Sequence, residues 1–305
     1  DTITGGANAD TLVGGEGNDL YRYNTTGEFF SANVVVDQIV EGAADGTADI
    51  ARVTGGITIG ASGSLARASN VERLESLDTG AVSHSITVGT TANLAQFRVI
   101  DLSGSTDSGT TSTVNLAGVG VGVTLIGSAG VDTLIGGGGF DTLTGGAGAD
   151  RFGYRLDTDL GTSGLFNSTT NRGDTITDFV SGTDDVRLTG SYLTGSMTGT
   201  TADDATSFAF GAGLDLDAAE TGTDTVLVFN GVTDQTSLSA LQAAIGTITN
   251  ETAGDERIFV FNGGSNAVMY KFTAITADNL LSANELQILA NFNIASLGTG
   301  DFIFS

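Results

Sequence analysis

Asp132, Asp141 and Asp150 stand nine residues apart, each sixth in a nine-residue unit, in the run GSAGVDTLI, GGGGFDTLT, GGAGADRFG from Gly127 to Gly153. All three units fit G-G-x-G-x-D-x-U-x, where U is a large apolar residue. A carboxylate at the sixth position, together with carbonyl oxygens of the first and third residues, gives an all-oxygen donor set suited to a hard cation such as Ca²⁺. The candidate donors here are Gly127, Ala129 and Asp132, then Gly136, Gly138 and Asp141, then Gly145, Ala147 and Asp150.

The elements that must position them follow from the same spacing. The first six residues of a unit make a turn that favours glycine, and the last three make a short strand whose one large side chain (Leu134, Leu143, Phe152) faces inward. Two units close one coil of a calcium-binding parallel β-roll. Asp132 and Asp150 therefore share one edge, and Asp141 lies on the other. That second edge has no further nonapeptide above it, so Asp157, Asp159, Asp174 or Asp178 would have to complete it. Gly5–Val13 (GGANADTLV) and Gly14–Arg22 (GGEGNDLYR) repeat the signature at the amino end, and Asp1-Thr2-Ile3-Thr4 reads as the end of another unit. They add Asp1, Gly5, Ala7, Asp10, Gly14, Glu16 and Asp19 to the metal candidates. Asn8 replaces a glycine in the first of these units, and asparagine tolerates left-handed backbone. A start inside a repeat reads as the carboxyl part of a longer polypeptide.

The chain has 305 residues, 46 Gly, no Pro and no Cys, with 36 acidic against 11 basic residues and a formal charge of −25. Disulfides and thiolate metal sites are excluded. Acidity of this size suits a medium rich in divalent cations, outside the cell, and argues against nucleic acid as a partner. Hydrophobic residues at 40% are too many for a disordered acidic chain. No run approaches the roughly 18 apolar residues of a transmembrane helix.

The expected fold is all-β: a parallel β-helix/β-roll solenoid with calcium-binding turns, closed by a β-rich carboxyl-terminal cap with two short helices. Residues 1–23 form the first roll turns and 24–126 a degenerate parallel β-helix. Residues 127–190 form the second roll with its following strands, and 191–305 the cap and secretion-signal region. In the middle, Ile57-Thr58-Ile59, Ile86-Thr87-Val88 and Val114-Asn115-Leu116 recur at nearly equal intervals, with Arg73–Leu77 and Val99–Leu102 between them. An absence of proline suits stacked strands, which need every N–H. In the tail, Thr225–Asn230, Arg257–Asn262 and Ala267–Phe272 read as strands, the last two a hairpin through Gly263-Gly264-Ser265. Leu238–Ile245 and Ala283–Phe292 read as helices, the second opened by a Ser282/Glu285 capping box.

These nonapeptides resemble the calcium repeats of the RTX family of secreted bacterial proteins. DTITDFVSGTDDVRL, residues 174–188, is similar to the strand pair that follows the repeats in many members, and Asp301-Phe302-Ile303-Phe304-Ser305 to the family's carboxyl terminus. The resemblance implies export by the type I secretion machinery and folding on Ca²⁺ binding outside the cell. Asp174 and Asp178 are added to the metal candidates. The middle segment, with Asn70-Val71-Glu72-Arg73-Leu74, is similar to β-helical stretches of surface-layer proteins and large RTX adhesins.

Nothing in the residues assembles a catalytic centre. The one histidine, His84, cannot form a zinc protease site, and no G-x-S-x-G elbow accompanies it. It reads as a structural histidine. Glu72, Arg73, Glu75, Arg98 and Asp101 read as a solvated face. Gly118–Val123 lacks the helix of a phosphate-binding loop, and Asp215-Leu216-Asp217 lacks the rest of a calcium hand. The preferred reading is an extracellular, calcium-dependent structural protein of surface-layer or adhesin type, not an enzyme, with self-association or cell-surface polysaccharide as partner. The alternative is the secretion and folding module of an exported hydrolase whose catalytic domain lies upstream.

Overall fold

The computed structural model describes residues 1–304 except 33, 43–45, 47, 79, 95, 156–172, 190–203, 209–213, 216–223, 233 and 252–255. The chain divides into two compact units, Asp1–Phe152 and Gly153–Ser305. Both are mostly β, with few helices and long sheets.

In the first unit, strands stack in parallel on strands of the preceding turn of chain. One sheet runs in order through Thr2–Ile3, Leu20–Tyr23, Ile50–Val53, Arg73–Ser76, Val99–Asp101, Thr124–Ile126 and Thr142–Thr144. A second contains Thr58–Ile59, Ser85–Thr87, Thr111–Asn115 and Val131–Ile135, on which Arg151 and Phe152 pair. A third contains Thr11–Leu12, Gln38–Val40 and Ala68–Ser69.

Strand alternation puts one face of each sheet inward. Register then places Tyr21, Ala51, Leu74, Ile100, Leu125 and Leu143 in one buried column, and Ile59, Ile86, Val114, Leu134 and Phe152 in another. The large apolar residue of each nonapeptide stands in such a column, Leu12 being in the third sheet. Each of these side chains contributes roughly 1.5–3 kcal/mol by leaving water. Within the nonapeptide clusters a turn of chain takes 18 residues, the length of two units. Between them it takes 20 to 30, and the segment from Ile50 to Ser76 visits all three sheets in one turn. Ile86 stacks on Ile59, not on Ile57 as the triplet spacing suggests. A shift of two keeps the same residues inward.

In the second unit, one mixed sheet runs Asp174–Ile176, Leu286–Phe292, Asn266–Thr273, Glu256–Gly263, Asp224–Asn230, Asp204–Phe208. Glu256–Gly263 and Asn266–Thr273 form the expected hairpin, with Gly264 at φ 63°. Leu238–Ile245 is the expected helix, packed by Leu241 and Ile245 onto a core that includes Phe229, Phe259, Phe261, Tyr270 and Phe272. The second expected helix is absent. Ala283–Glu285 is one 3₁₀ turn, and Leu286–Phe292 is a strand antiparallel to Asn266–Thr273. The capping box is present, with the Ser282 N–H donating to Glu285 at 2.8 Å. It initiates only a single turn, because the apolar residues that follow are taken by the sheet. Phe302–Phe304 pairs in parallel with Asp185–Thr189.

Candidate metal centres

The nonapeptide turn has a regular backbone. Its second and fourth residues take the left-handed region: Gly6 and Asn8 at φ 85° each, Gly15 and Gly17 at 92° and 105°, Gly137 and Gly139 at 98° and 130°, Gly146 and Gly148 at 97° and 133°. Such backbone strains any residue with a β-carbon, which explains the glycines and the tolerated asparagine. The first glycine is needed for a different reason. A β-carbon at Gly14, Gly136 or Gly145 would collide with the carboxylate of Asp19, Asp141 or Asp150, five residues on. The third position carries neither constraint and varies as Ala7, Glu16, Gly138 and Ala147. The N–H groups of Gly138 and Ala147 bond to carbonyls of the turn before, Val119 at 2.7 Å and Ser128 at 3.3 Å.

The unit opening at Gly127 departs from this. Ser128 and Gly130 are not left-handed, and the Ser128 N–H and hydroxyl donate to the Asp132 carboxylate at 2.7 and 2.9 Å. The Ala129 N–H bonds to the Ser105 carbonyl at 3.0 Å. Burial raises the Asp132 pKa, while hydrogen bonds from Ser128 and Ser112 hold it down. Asp132 is thus supplied with donors from its own turn.

Each aspartate also ties its turn to the one before. The Asp19 N–H donates to Asp49 (2.7 Å), the Asp49 N–H to Glu72 (2.9 Å), and the terminal nitrogen of Asp1 to Asp19. On the third sheet the Asp10 N–H donates to Asp37 (2.9 Å). In the second cluster the N–H of Val123 donates to Asp141 (2.8 Å) and that of Asp132 to Asp150 (2.9 Å). The same position in the middle of the second sheet is filled by other acceptors: the Ile57 N–H donates to His84 Nδ1 (3.1 Å) and the His84 N–H to the Ser112 hydroxyl (3.2 Å). His84 is buried, and its Nε2 lies 2.8 Å from the Ser105 hydroxyl. Burial lowers its pKa, which keeps the ring neutral with Nδ1 as acceptor. It stands where the nonapeptides place aspartate.

Asp37, Glu41 and Asp49 were not among the sequence-predicted site residues. All three are buried. A signal was present: Asp37-Gln38-Ile39-Val40 and Glu72-Arg73-Leu74-Glu75 are the D-x-U-x half of a nonapeptide without its glycines. Burial raises the pKa of Asp37; the Asp10 N–H holds it down and the Asp10 charge pushes it up. Burial likewise raises Glu41, with Asp49 and Asp19 adding to it. Of the residues expected to form a solvated face, Glu72, Arg73, Glu75 and Arg98 are half-exposed and Asp101 is buried. Arg73 pairs with buried Asp101, Arg52 with Glu75 at 2.8 Å, and Glu72 holds the Asp49 N–H.

Four buried oxygens in the first cluster accept no hydrogen bond: Asp10 Oδ2, Asp19 Oδ2, Asp37 Oδ2 and Glu41 Oε2. Among the described residues, no group of three or more His, Cys, Asp or Glu side chains converges on one point. The donors are therefore paired carboxylates with backbone carbonyls, a set that fits a hard cation and not a thiophilic one. In the second unit, Asp174 is buried and Asp178 half-buried. Asp157 and Asp159 lie outside the described residues. Asp301, near the carboxyl end, accepts from the Ser181 hydroxyl and Gly182 N–H at 2.8 Å each, and so ties the final strand to that turn.

A family model, the RTX calcium-binding nonapeptide repeat, matches residues 1–21 and 126–160, in four copies. A comparison with curated proteins finds no match.

Proposed function

We propose that this chain, whose residues 1–21 and 126–160 match the RTX calcium-binding nonapeptide repeat, is a calcium-dependent structural protein of the cell exterior, of surface-layer or adhesin type. In this reading the stacked parallel strands are a solenoid in which Ca²⁺ ions lie between successive turns. RTX repeats imply calcium binding and type I secretion. No helix among the described residues is long and apolar enough to cross a membrane.

The observation that carries the proposal is the row of side chains before the strands. Asp19, Asp49 and Glu72, and in the other sheets Asp37, His84, Ser112 and Asp150, each accept an N–H from the preceding turn or supply the equivalent oxygen or nitrogen. The row continues through the segment between the nonapeptide clusters, so that segment shares the clusters' architecture. His84 is committed to this row and is buried, which supports a structural role for it. Export unfolded and folding on arrival follow from the low calcium inside cells. The ions supply the stapling that disulfides supply in other secreted proteins.

Adding millimolar Ca²⁺ to purified, chelator-treated protein tests this. Far-ultraviolet circular dichroism should show a gain in β-structure, and electron microscopy should show ordered sheets or filaments. A monodisperse monomer that gains β-structure without assembling would favour a secretion and folding module. A spectrum indifferent to chelator would overturn the calcium reading itself.

A further inference from the structure

We propose that Asp37 and Glu41, which lie outside the nonapeptides, complete two Ca²⁺ sites on the turns that carry Asp10 and Asp19. This rests on the reading of the nonapeptides as calcium turns, and it assigns ligands that the repeat pattern does not contain.

After these two turns the nonapeptide pattern stops. The strands that stack on theirs, Gln38–Val40 and Ile50–Val53, continue the strand half of the motif without the glycine half before them. What this part of the chain brings is carboxylates. At Gly5, the point where a β-carbon would sit is 2.6 Å from Asp37 Oδ2 and 3.2 Å from Asp10 Oδ2. At Gly14, the equivalent point lies against both Glu41 Oε1 and Asp19 Oδ2. Each glycine thus marks a hollow into which two carboxylates from neighbouring turns converge.

The hydrogen bonds orient these groups. One oxygen of Asp37 is held by the Asp10 N–H at 2.9 Å, and one oxygen of Glu41 by the Gly14 N–H at 3.0 Å. The remaining oxygens, Asp37 Oδ2 and Glu41 Oε2, receive no donor, and neither do Asp10 Oδ2 and Asp19 Oδ2. Asp37 is 0% and Glu41 5% exposed, so water does not solvate these carboxylates as it would at a surface. Two buried carboxylates, each left with an oxygen that no donor reaches, are costly unless a cation lies between them. Arg67 offsets part of the repulsion at Asp37. At Glu41 the repulsion from Asp49 and Asp19 is opposed by the N–H groups of Gly14 and Gly15, and Asp19 pairs with the terminal nitrogen of Asp1. A hard divalent cation satisfies both pairs, and Ca²⁺ accepts the mixed carboxylate and carbonyl set that these turns present. The competing arrangement is a proton shared within each pair.

Calorimetric titration of the full, calcium-stripped chain with CaCl₂ separates the two. Asp37→Asn and Glu41→Gln are each expected to remove one ion from the stoichiometry, and the double variant two, with the circular dichroism of the calcium-saturated protein retained. If the double variant binds as many ions as the wild type with the same affinity, while Asp150→Asn still loses one, the proposal is wrong and the calcium reading of the repeats stands. Such a result, with the calcium-free double variant more stable than the wild type, is what a shared proton would give. A wild type that takes up no calcium would overturn both. Should the amide variants fail to fold, Asp37→Glu and Glu41→Asp keep the charge but move the oxygens by a methylene. They are expected to weaken the affected sites about tenfold or more, and unchanged affinities would refute the assignment.

Discussion

Gly55 and Gly146 take nearly the same left-handed backbone, φ 103° and 97°, yet alanine should cost very different amounts at the two. The left-handed conformation costs an L-residue about 1–2 kcal/mol, and loss of unfolded-state freedom returns about 0.4–1 kcal/mol. At Gly55 nothing lies within 4 Å of the added carbon, so the balance for Gly55→Ala is a loss of about 1 kcal/mol. At Gly146 the added carbon collides with the Ser128 carbonyl oxygen and lies 3.3 Å from its carbon. Backbone cannot turn aside as a side chain can, so the stacked turns must separate, an overpacking term of about 1–3 kcal/mol. Gly146→Ala should therefore cost about 2–4 kcal/mol in all. Native-state hydrogen exchange read by mass spectrometry in saturating calcium measures each region locally. At 1.4 kcal/mol per tenfold, amides of residues 137–152 should exchange roughly thirtyfold to several-hundredfold faster in Gly146→Ala, against roughly fivefold for residues 50–59 in Gly55→Ala. Equal acceleration in the two variants would refute the close stacking of turns 18 residues apart.

Three further outcomes follow from the same geometry. Because Ser128 and Ser112 already supply donors to Asp132, Asp132→Asn should lower the unfolding temperature but leave calcium stoichiometry unchanged, whereas Asp150→Asn should lower the stoichiometry; calorimetry distinguishes them. Asp37, Glu41 and Asp132 have raised pKa values in the fold, so their contribution is fully present below the unfolded value near 4 and is lost as pH rises through the folded values. The calcium-free protein should therefore melt at higher temperature near pH 4.5 than at pH 7, and saturating calcium should flatten or reverse that slope. His84 has the opposite sign: its lowered pKa gives stability present above about pH 6.5 and lost as pH falls through the folded value. Thermal melts of His84→Gln in saturating calcium should lack the part of the wild-type loss between pH 6.5 and 5 that this ring causes.

The turns were legible in the sequence because glycine spacing encodes backbone directly. The nonapeptide glycines gave the inward residues Leu134, Leu143 and Phe152 and the 18-residue turn. Where the motif loses its glycines, local pattern says little about which turn lies above. Asp37, Glu41 and Asp49 therefore looked like ordinary acidic residues until register placed them on Asp10 and Asp19. His84 was legible as structural, but its place in the aspartate row depended on a stacking offset of 27 residues from Ile57. Ser128 fills the second, glycine position of its unit, and its hydroxyl donates to Asp132, a bond that the spacing does not show. Leu286–Phe292 was read as a helix from a sound start signal, and the hairpin beside it claimed those residues for a sheet. In each case the deciding partner is distant in sequence.

The alternation of the second cluster between two sheets has a consequence for how such a chain can lengthen or shorten. Thr124–Ile126 and Thr142–Thr144 belong to one sheet, and Val131–Ile135 and Arg151–Phe152 to the other. Removing the nine residues 136–144 would carry Asp150 across to the edge opposite Val123 and turn every later strand of the cluster over to the wrong sheet. Removing residues 127–144 would bring the next unit down one full step with its partners unchanged in kind. The repeat visible in the letters is nine, but the increment the architecture accepts is its double.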